Sequence, residues 1–202
     1  MKSLLTRFSL SGFILLSSLS LSAQTIANDE PADFNTELNT PVIPNKQSQA
    51  VTTEMQAIYS FLVNQGYNVE MCRNDQVVVV TINIDKLFGP NEVSLLSSAS
   101  QFLQPFSQYT RHYGNFKLLL AVHSDDTGSP AYRQWLCEQR VMSLYEYFDN
   151  HSSSPSMIYG YPMALEMPLT DNNSRAKRAI NRRLEIYIVP GPNQTTKASK
   201  RK

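Results

Sequence analysis

Two cysteines in 202 residues, with no CxxC spacing, are too few for a disulfide scaffold and supply no structural zinc site. Seven glycines, with neither GxGxxG nor a Walker-type GxxxxGK, leave no phosphate-cradling loop. Three histidines and no HExxH spacing argue against a metal hydrolase, for which His123, Asp125, Asp126 and His112 are the only candidate set. Ser124 lacks the GxSxG elbow of a serine nucleophile. A surplus of one charge sign is also missing. Lys+Arg at 18 against Asp+Glu at 17 give a formal charge of +1, which argues against a nucleic-acid binder working through bulk electrostatics. What is present is 42% apolar and 17% charged residues, enough to bury a core and exclude wholesale disorder. The length suits one domain with tails, and no internal repeat is visible.

Residues 1–23 read as a secretory signal. Lys2 and Arg7 form the positive start, an apolar stretch broken by serines follows, and Ala23 precedes the cleavage point, with a weaker option at Ala27. The stretch at 8–21 falls short of the ~20 residues that span a bilayer, so cleavage is preferred over retention as an anchor. No cysteine follows the site to carry a lipid. Cleavage removes two bases and no acid, taking the charge from +1 to −1. The expectation is an exported protein with no transmembrane segment in the mature chain, and no run of alternating ~10-residue strands suggests a membrane barrel.

Residues 24–50 are polar and aperiodic and read as a flexible linker, while 191–202 read as a basic disordered tail. Between them, 51–75 should form a helix capped by Thr53 and a first strand, ahead of a domain at 76–190. Arg73-Asn74-Asp75 suggests a tight turn between strands at 67–72 and 76–84. Helical spacing marks 94–112 and 131–148, and short apolar or alternating strands fall at 116–122, 157–161 and 183–189. The predicted fold is an α/β (α+β) sandwich in which β-α-β-α-β-β elements give a mixed sheet with helices packed on it. In the oxidising compartment outside the cytoplasm a Cys72–Cys137 bridge is chemically allowed, with two separate buried thiols as the preferred reading.

Chemistry concentrates in two polar segments. His123-Ser124-Asp125-Asp126-Thr127-Gly128 lies between a buried strand and a helix, where α/β folds bind ligands. Asp125 or Asp126 there suits a cationic group, although Asp126 reads better as a helix cap, and His123 reads as a structural histidine. Arg175, Lys177, Arg178, Arg182 and Arg183 then place five positive charges within nine residues, suiting a ligand that bears acids. Taken alone, such a run is usually solvated surface. Tyr109, Tyr113, Tyr132 and Trp135 read as core or rim packing.

Three blocks in order, HSDDTGSPAY at 123–132, LCEQR at 136–140 and DNNSRAKRAINRRLEI at 171–186, make the chain recognisable. They resemble the C-terminal domain of the outer membrane protein A family, the periplasmic peptidoglycan-binding module shared with peptidoglycan-associated lipoproteins and flagellar stator proteins. The family pattern runs G-H-T-D-x-x-G, then L-S-x-x-R-A, then D-N-x-T-x-x-G-R-A-x-N-R-R-V-E-I. The resemblance covers residues 76–190. It departs at Val122 for glycine, Ser124 for threonine, Arg133 for asparagine, Cys137 for serine, Val141 for alanine and Lys177 for glycine.

The resemblance implies a noncovalent, noncatalytic binder of the diaminopimelate in peptidoglycan stem peptides, with no cofactor and no metal. It assigns the ligand's ammonium to Asp125 and its carboxylate to Arg140, with Asn91, Arg182 and Asn181 in support. One anion and one cation at fixed separation match the two ends of a zwitterion, each charge-assisted bond contributing roughly 1.5–3 kcal/mol. The implied location is the periplasm, on the peptidoglycan, with an envelope or outer-membrane protein as a further partner. The alternative is a structural adaptor of an envelope complex whose ligand site has drifted, with Arg133 and Lys177 serving protein contacts.

Overall fold

The computed structural model describes residues 33–151 and 157–195; the expected signal, the first part of the expected linker and the last seven residues lie outside them. Five strands form one mixed sheet: β1 (Asn68–Cys72), β2 (Val77–Asn83), β3 (Phe116–His123), β4 (Ile158–Ala164) and β5 (Arg183–Pro190). Their spatial order is β1-β2-β5-β3-β4, antiparallel except for the β3–β4 pair. The last strand is therefore central, and every residue of β5 is buried. Its pairing places Arg183 opposite both Asn83 of β2 and His123 of β3, so the ends of β2 and β3 flank the start of β5.

One face of the sheet carries the main core. Helix α2 (Asn45–Asn64) buries Val51, Met55, Ile58 and Leu62, one apolar stripe at helical spacing, and α4 (Pro130–His151) buries Leu136, Cys137, Val141, Leu144 and Phe148. Both meet Val78, Val80, Leu118, Leu120, Leu184 and Ile186 from alternate positions of the strands. The stretch expected as one helix at 94–112 is instead a 3-10 turn, a single α turn α3 (Ser100–Leu103), and a further 3-10 run through Thr110. Pro105 explains the break, because it lacks an N–H and its ring clashes with the preceding turn. A short helix α5 (Arg175–Asn181), capped by Ser174, separates β4 from β5 where no helix was expected.

The opposite face is covered by the segment read as a linker. Within it, α1 (Phe34–Asn39) sets Phe34 edge-on against Tyr161 and Tyr187, with centroids 5.1 and 5.2 Å away. Arg73 donates to the carbonyls of Leu38 and Pro41 at 2.8 and 3.0 Å, and Lys117 pairs with Glu37 and donates to its carbonyl. A flexible linker at 24–50 is therefore corrected for 33–50, since one buried aromatic and two clamping cations order it. For the same reason α2 starts at Asn45 rather than after Thr53, which lies within the helix and donates to the Gln49 carbonyl. The region 51–75 is not a preface to the domain, because its strand β1 extends the same sheet. Nor do residues 191–195 belong to a disordered tail. Gln194 is buried and donates to Glu54, and a Cβ on Gly191 would collide with the Gly114 carbonyl.

Cys72 and Cys137 are both free. Cys72 packs with the α1 side of the sheet and Cys137 lies in the core on the other side, so the sheet itself separates them. The allowed bridge is thus overturned in favour of two separate thiols, and burial pushes Cys137 up to about 11.

If α1 is a structural strap, Phe34→Ala removes a side chain only 9% exposed and lowers unfolding free energy by about 3 kcal/mol. Denaturant titration of wild type and variant measures this, and an unchanged midpoint would mean that the segment is a loose linker after all.

Candidate ligand-binding cleft

A cleft of about 580 Å³ opens where β2 and β3 end and β5 begins. Its charged lining comprises Asp85, Asp125, Arg133, Arg140, Arg175 and Arg182, and Phe88, Pro90, Leu96 and Leu136 give it apolar walls. The loop from β3 to α4 supplies Asp125. That carboxylate accepts the Thr127 N–H at 2.8 Å with one oxygen and an Arg182 N–H at 2.7 Å with the other. Gly128 adopts a φ of +82°, a left-handed turn that favours glycine, and brings the chain back toward α4.

Arg182 is shared. Its Nε and Nη2 donate to the two oxygens of Asp85 at 3.2 and 2.8 Å while Nη1 holds Asp125. Burial acts to raise the Asp125 carboxyl, but the Arg182 hydrogen bond and the Thr127 N–H together outweigh it and hold it below its ordinary value. Hydrogen bonds from Arg182 to Asp85, ahead of those to Asp125, overcome burial and lift the guanidinium above its own ordinary range.

Arg140 is placed differently. It projects from α4 and is 5% exposed, its guanidinium 5.1 Å from the centroid of Phe88. Nε donates to the Glu92 carbonyl at 2.9 Å and Nη2 to the Gly89 carbonyl at 3.3 Å, which fixes the loop carrying Asn91. Burial lowers its pKa, and among the described residues no carboxylate lies within ion-pair distance of it. A buried cation held by carbonyls and the face of Phe88, with no paired carboxylate, is a candidate site for an anion.

Four of the five residues named from the sequence therefore line one cleft: Asp125, Arg140, Asn91 and Arg182. Asn91 is exposed there with a φ of +60°. Asn181 does not join them. It is fully buried and spends its amide on the N–H groups of Leu169 and Thr170, the Thr170 carbonyl and Asn172, so it fixes the loop before α5. Lys177 pairs with Asp171 outside the cleft, whereas Arg133 lines it and ties down the carbonyls of Asp126 and Gly128. Asp85 was not anticipated. The signal that finds it is register: once Asn83 is known to face Arg183, the acid two residues later falls beside Arg182.

His123 points away from the cleft, into a buried polar network. Its Nδ1 donates to the Glu166 carbonyl at 3.0 Å and its Nε2 lies 3.4 Å from Glu185. Glu185 also accepts from Arg183 at 2.7 Å and from Tyr187 at 2.6 Å. Burial opposes ionisation of Glu185, yet the nearby His123 and the hydrogen bonds from Tyr187 and Arg183 prevail and hold it at about 2. The candidate metal set is thereby split, His123 facing Glu185 while Asp125 faces the cleft, and among the described residues no metal-binding group of three or more His, Cys, Asp or Glu occurs.

No protein-family model matches the chain. Over 110 residues, 54% of its length, it is 29% identical to outer membrane protein A of Bordetella avium, of which the match covers 57%. Over 104 residues, 52% of its length, it is 31% identical to the outer-membrane lipoprotein YfiB of Pseudomonas aeruginosa, of which 61% is covered. The chain thus spans somewhat more than half the length of these relatives. Among solved structures, a putative MotB-like protein from Desulfovibrio vulgaris superposes with a TM-score of 0.58 at 20% identity, covering 72% of this chain and 94% of that one. The cell wall anchor of the T6SS from Pseudomonas aeruginosa gives 0.54 at 22% identity, covering 69% and 96%. At such identities these two structures share the fold.

Two outcomes follow from the geometry. Replacing Arg182→Gln removes the strongest bond opposing burial at Asp125, so its carboxyl titrates at higher pH than in wild type, as a carbon-detected NMR titration reads directly. For Glu185, a folded value near 2 lies below its ordinary 4.5. Its contribution to stability is therefore complete above about pH 4.5 and is lost as pH falls toward about 2. Glu185→Gln should unfold with a flatter acid limb, and at neutral pH be less stable by about 3 kcal/mol through the broken buried pair with Arg183. Denaturant melts across that pH range check both.

Proposed function

The chain carries an OmpA-like C-terminal domain, and from that premise we propose that it attaches noncovalently to peptidoglycan by holding the diaminopimelate of a stem peptide. The observation that carries the reading is the pairing of opposite charges in one cleft: Asp125 and Arg140 line the same 580 Å³ space, and among the described residues no carboxylate pairs with Arg140. Asp125 accepts the ligand's ammonium through lone pairs left over from Arg182 and Thr127, and Arg140 donates to its carboxylate. Asn91 contributes a side-chain amide from the facing loop, while Arg182 acts by keeping Asp125 ionised and in place. The apolar walls at Phe88 and Leu136 receive the methylene chain that joins this zwitterionic carbon to the peptide.

This is binding rather than catalysis. The site joins a fixed anion to a fixed cation across a zwitterion, with nothing in the arrangement that activates a nucleophile. A location in the periplasm on the cell wall follows from the ligand, and a structural neighbour described as a cell wall anchor supports an anchoring role. An envelope or outer-membrane protein as a second partner belongs to the same proposal.

Sedimentation with purified diaminopimelate-type peptidoglycan tests it, using wild type beside Asp125→Ala and Arg140→Ala variants checked for folding. Wild type should pellet, and each variant should lose about tenfold or more in affinity, the worth of one charge-assisted contact. If wild type stays in solution, or all three pellet equally, the proposal fails and the adaptor alternative takes its place. Exposed Tyr132, Trp135, Met142 and Tyr145 on α4 would then supply the apolar contact surface.

A further inference from the structure

The cleft holds more cations than one zwitterion needs. Four arginines line it against two carboxylates, Asp85 and Asp125. Arg182 satisfies both acids at once, and Arg140 is assigned to the carboxylate of the diaminopimelate. Arg133 and Arg175 remain. Neither forms an ion pair among the described residues. Arg133 is anchored by one end only, its Nη1 on the carbonyls of Asp126 and Gly128, and its Nε is buried with no hydrogen-bond partner. Arg175 stands exposed at the first position of α5, on the wall of the same cleft.

Arg133 meets only the carbonyls of Asp126 and Gly128, and Arg175 pairs with no acid among the described residues, so neither charge is neutralised by a carboxylate of the protein. Both are stabilised when an anion enters. Resting on the proposed attachment to peptidoglycan, we infer that Arg133 and Arg175 form a second anion subsite, which takes a stem-peptide carboxylate other than the one on diaminopimelate. Chemistry selects the group. When diaminopimelate is joined to the side-chain carboxyl of a glutamate, that glutamate's α-carboxyl is left free one residue away. Converting it to an amide removes the charge and adds an N–H₂ donor facing two guanidinium groups, which also only donate. The site therefore discriminates between free-acid and amidated stem peptides, preferring the former.

The probe is an alanyl-γ-glutamyl-diaminopimelate tripeptide, made with the glutamyl α-carboxyl either free or amidated, and titrated calorimetrically into the full protein. The free acid should bind about tenfold more tightly than the amide, and raising salt should narrow that gap. Arg175→Gln changes an exposed side chain that forms no hydrogen bond or ion pair among the described residues, so folding is not at stake, and the preference should drop below about threefold. Equal binding of the two peptides by wild type, or an unaltered preference in Arg175→Gln, overturns the inference and leaves the diaminopimelate site standing. Binding of neither peptide overturns that site and the inference with it.

Discussion

Arg182 sits just ahead of the central strand, and its guanidinium carries two carboxylates that arrive from different parts of the chain. Antiparallel pairing makes this arrangement necessary. Because β5 runs opposite to both neighbours, its first residue meets the last residues of β2 and β3, and the acids two positions beyond each of those ends converge on the residue before it. Asp125 is 4% exposed, a site where an ionised carboxylate is stable only with partners. Arg182 supplies the partner without consuming every lone pair, so an ionised carboxylate persists in the cleft with acceptor capacity left over. Arg140 repeats the logic with the sign reversed, a buried cation balanced by carbonyl dipoles and the face of Phe88. The two charges are thus preorganised by separate devices, one ionic and one dipolar, and neither has to be pulled from the other when a ligand enters.

The sheet is sandwiched by unequal layers. Two long helices and the irregular 97–110 segment cover one face, while the other relies on a single six-residue helix seated by Phe34 and clamped through Arg73 and Lys117. Lys117 lies near the start of β3 on that thinly covered face, where a buried ammonium needs the Glu37 carboxylate and carbonyl to offset its lost hydration. The N-terminal segment is in this sense a component of the fold, closing a face that would otherwise expose Leu119, Tyr161, Met163 and Tyr187.

How much of this was legible depended on whether the information was local. β2, β3 and β5 announce themselves as β-branched or alternating runs, and α4 as a long periodic stretch. The three blocks around Asp125, Arg140 and Arg182 are short strings whose order alone suggests the resemblance. What was hidden depends on distant partners. Asp85 is one acid among the apolar Ile84, Leu87 and Phe88 until strand register sets it beside a residue 97 positions later. Asn181 stood within the best-matched block and yet serves the backbone of residues 169–172, a distinction between touching ligand and holding a loop that residue type cannot express. Phe34 is a lone aromatic among Asp, Asn and Thr, too sparse for any periodic pattern, and only the tyrosine-lined face of the sheet gives it a place. Helix α5 has few apolar residues to reveal it, being made of charged residues and held by the Ser174 cap and the buried Asn181.

The two polar systems at the start of β5 also depend on each other. Arg182 faces the cleft, while Arg183 and Glu185 point to the opposite face, where Glu185 gathers Arg183, Tyr187 and His123. His123 belongs to the same strand end that delivers Asp125 two residues later, and its other nitrogen holds the Glu166 carbonyl beyond the end of β4. The back-face network therefore locks β3, β5 and the β4 exit together at the level of the cleft, and the register that brings Asp125 to Arg182 cannot slip by a residue without setting Arg183 and Glu185 on the wrong side of the sheet. Buried polar residues are costly in a core, and an apolar set would pack as well. Their position directly behind the cleft, and nowhere near the middle of the main core, is what a device for fixing cleft geometry requires. Rigidity supplied from behind lets the front keep its charges open, and the proposed attachment would then draw its specificity from prearranged groups rather than from reshaping the protein on each encounter.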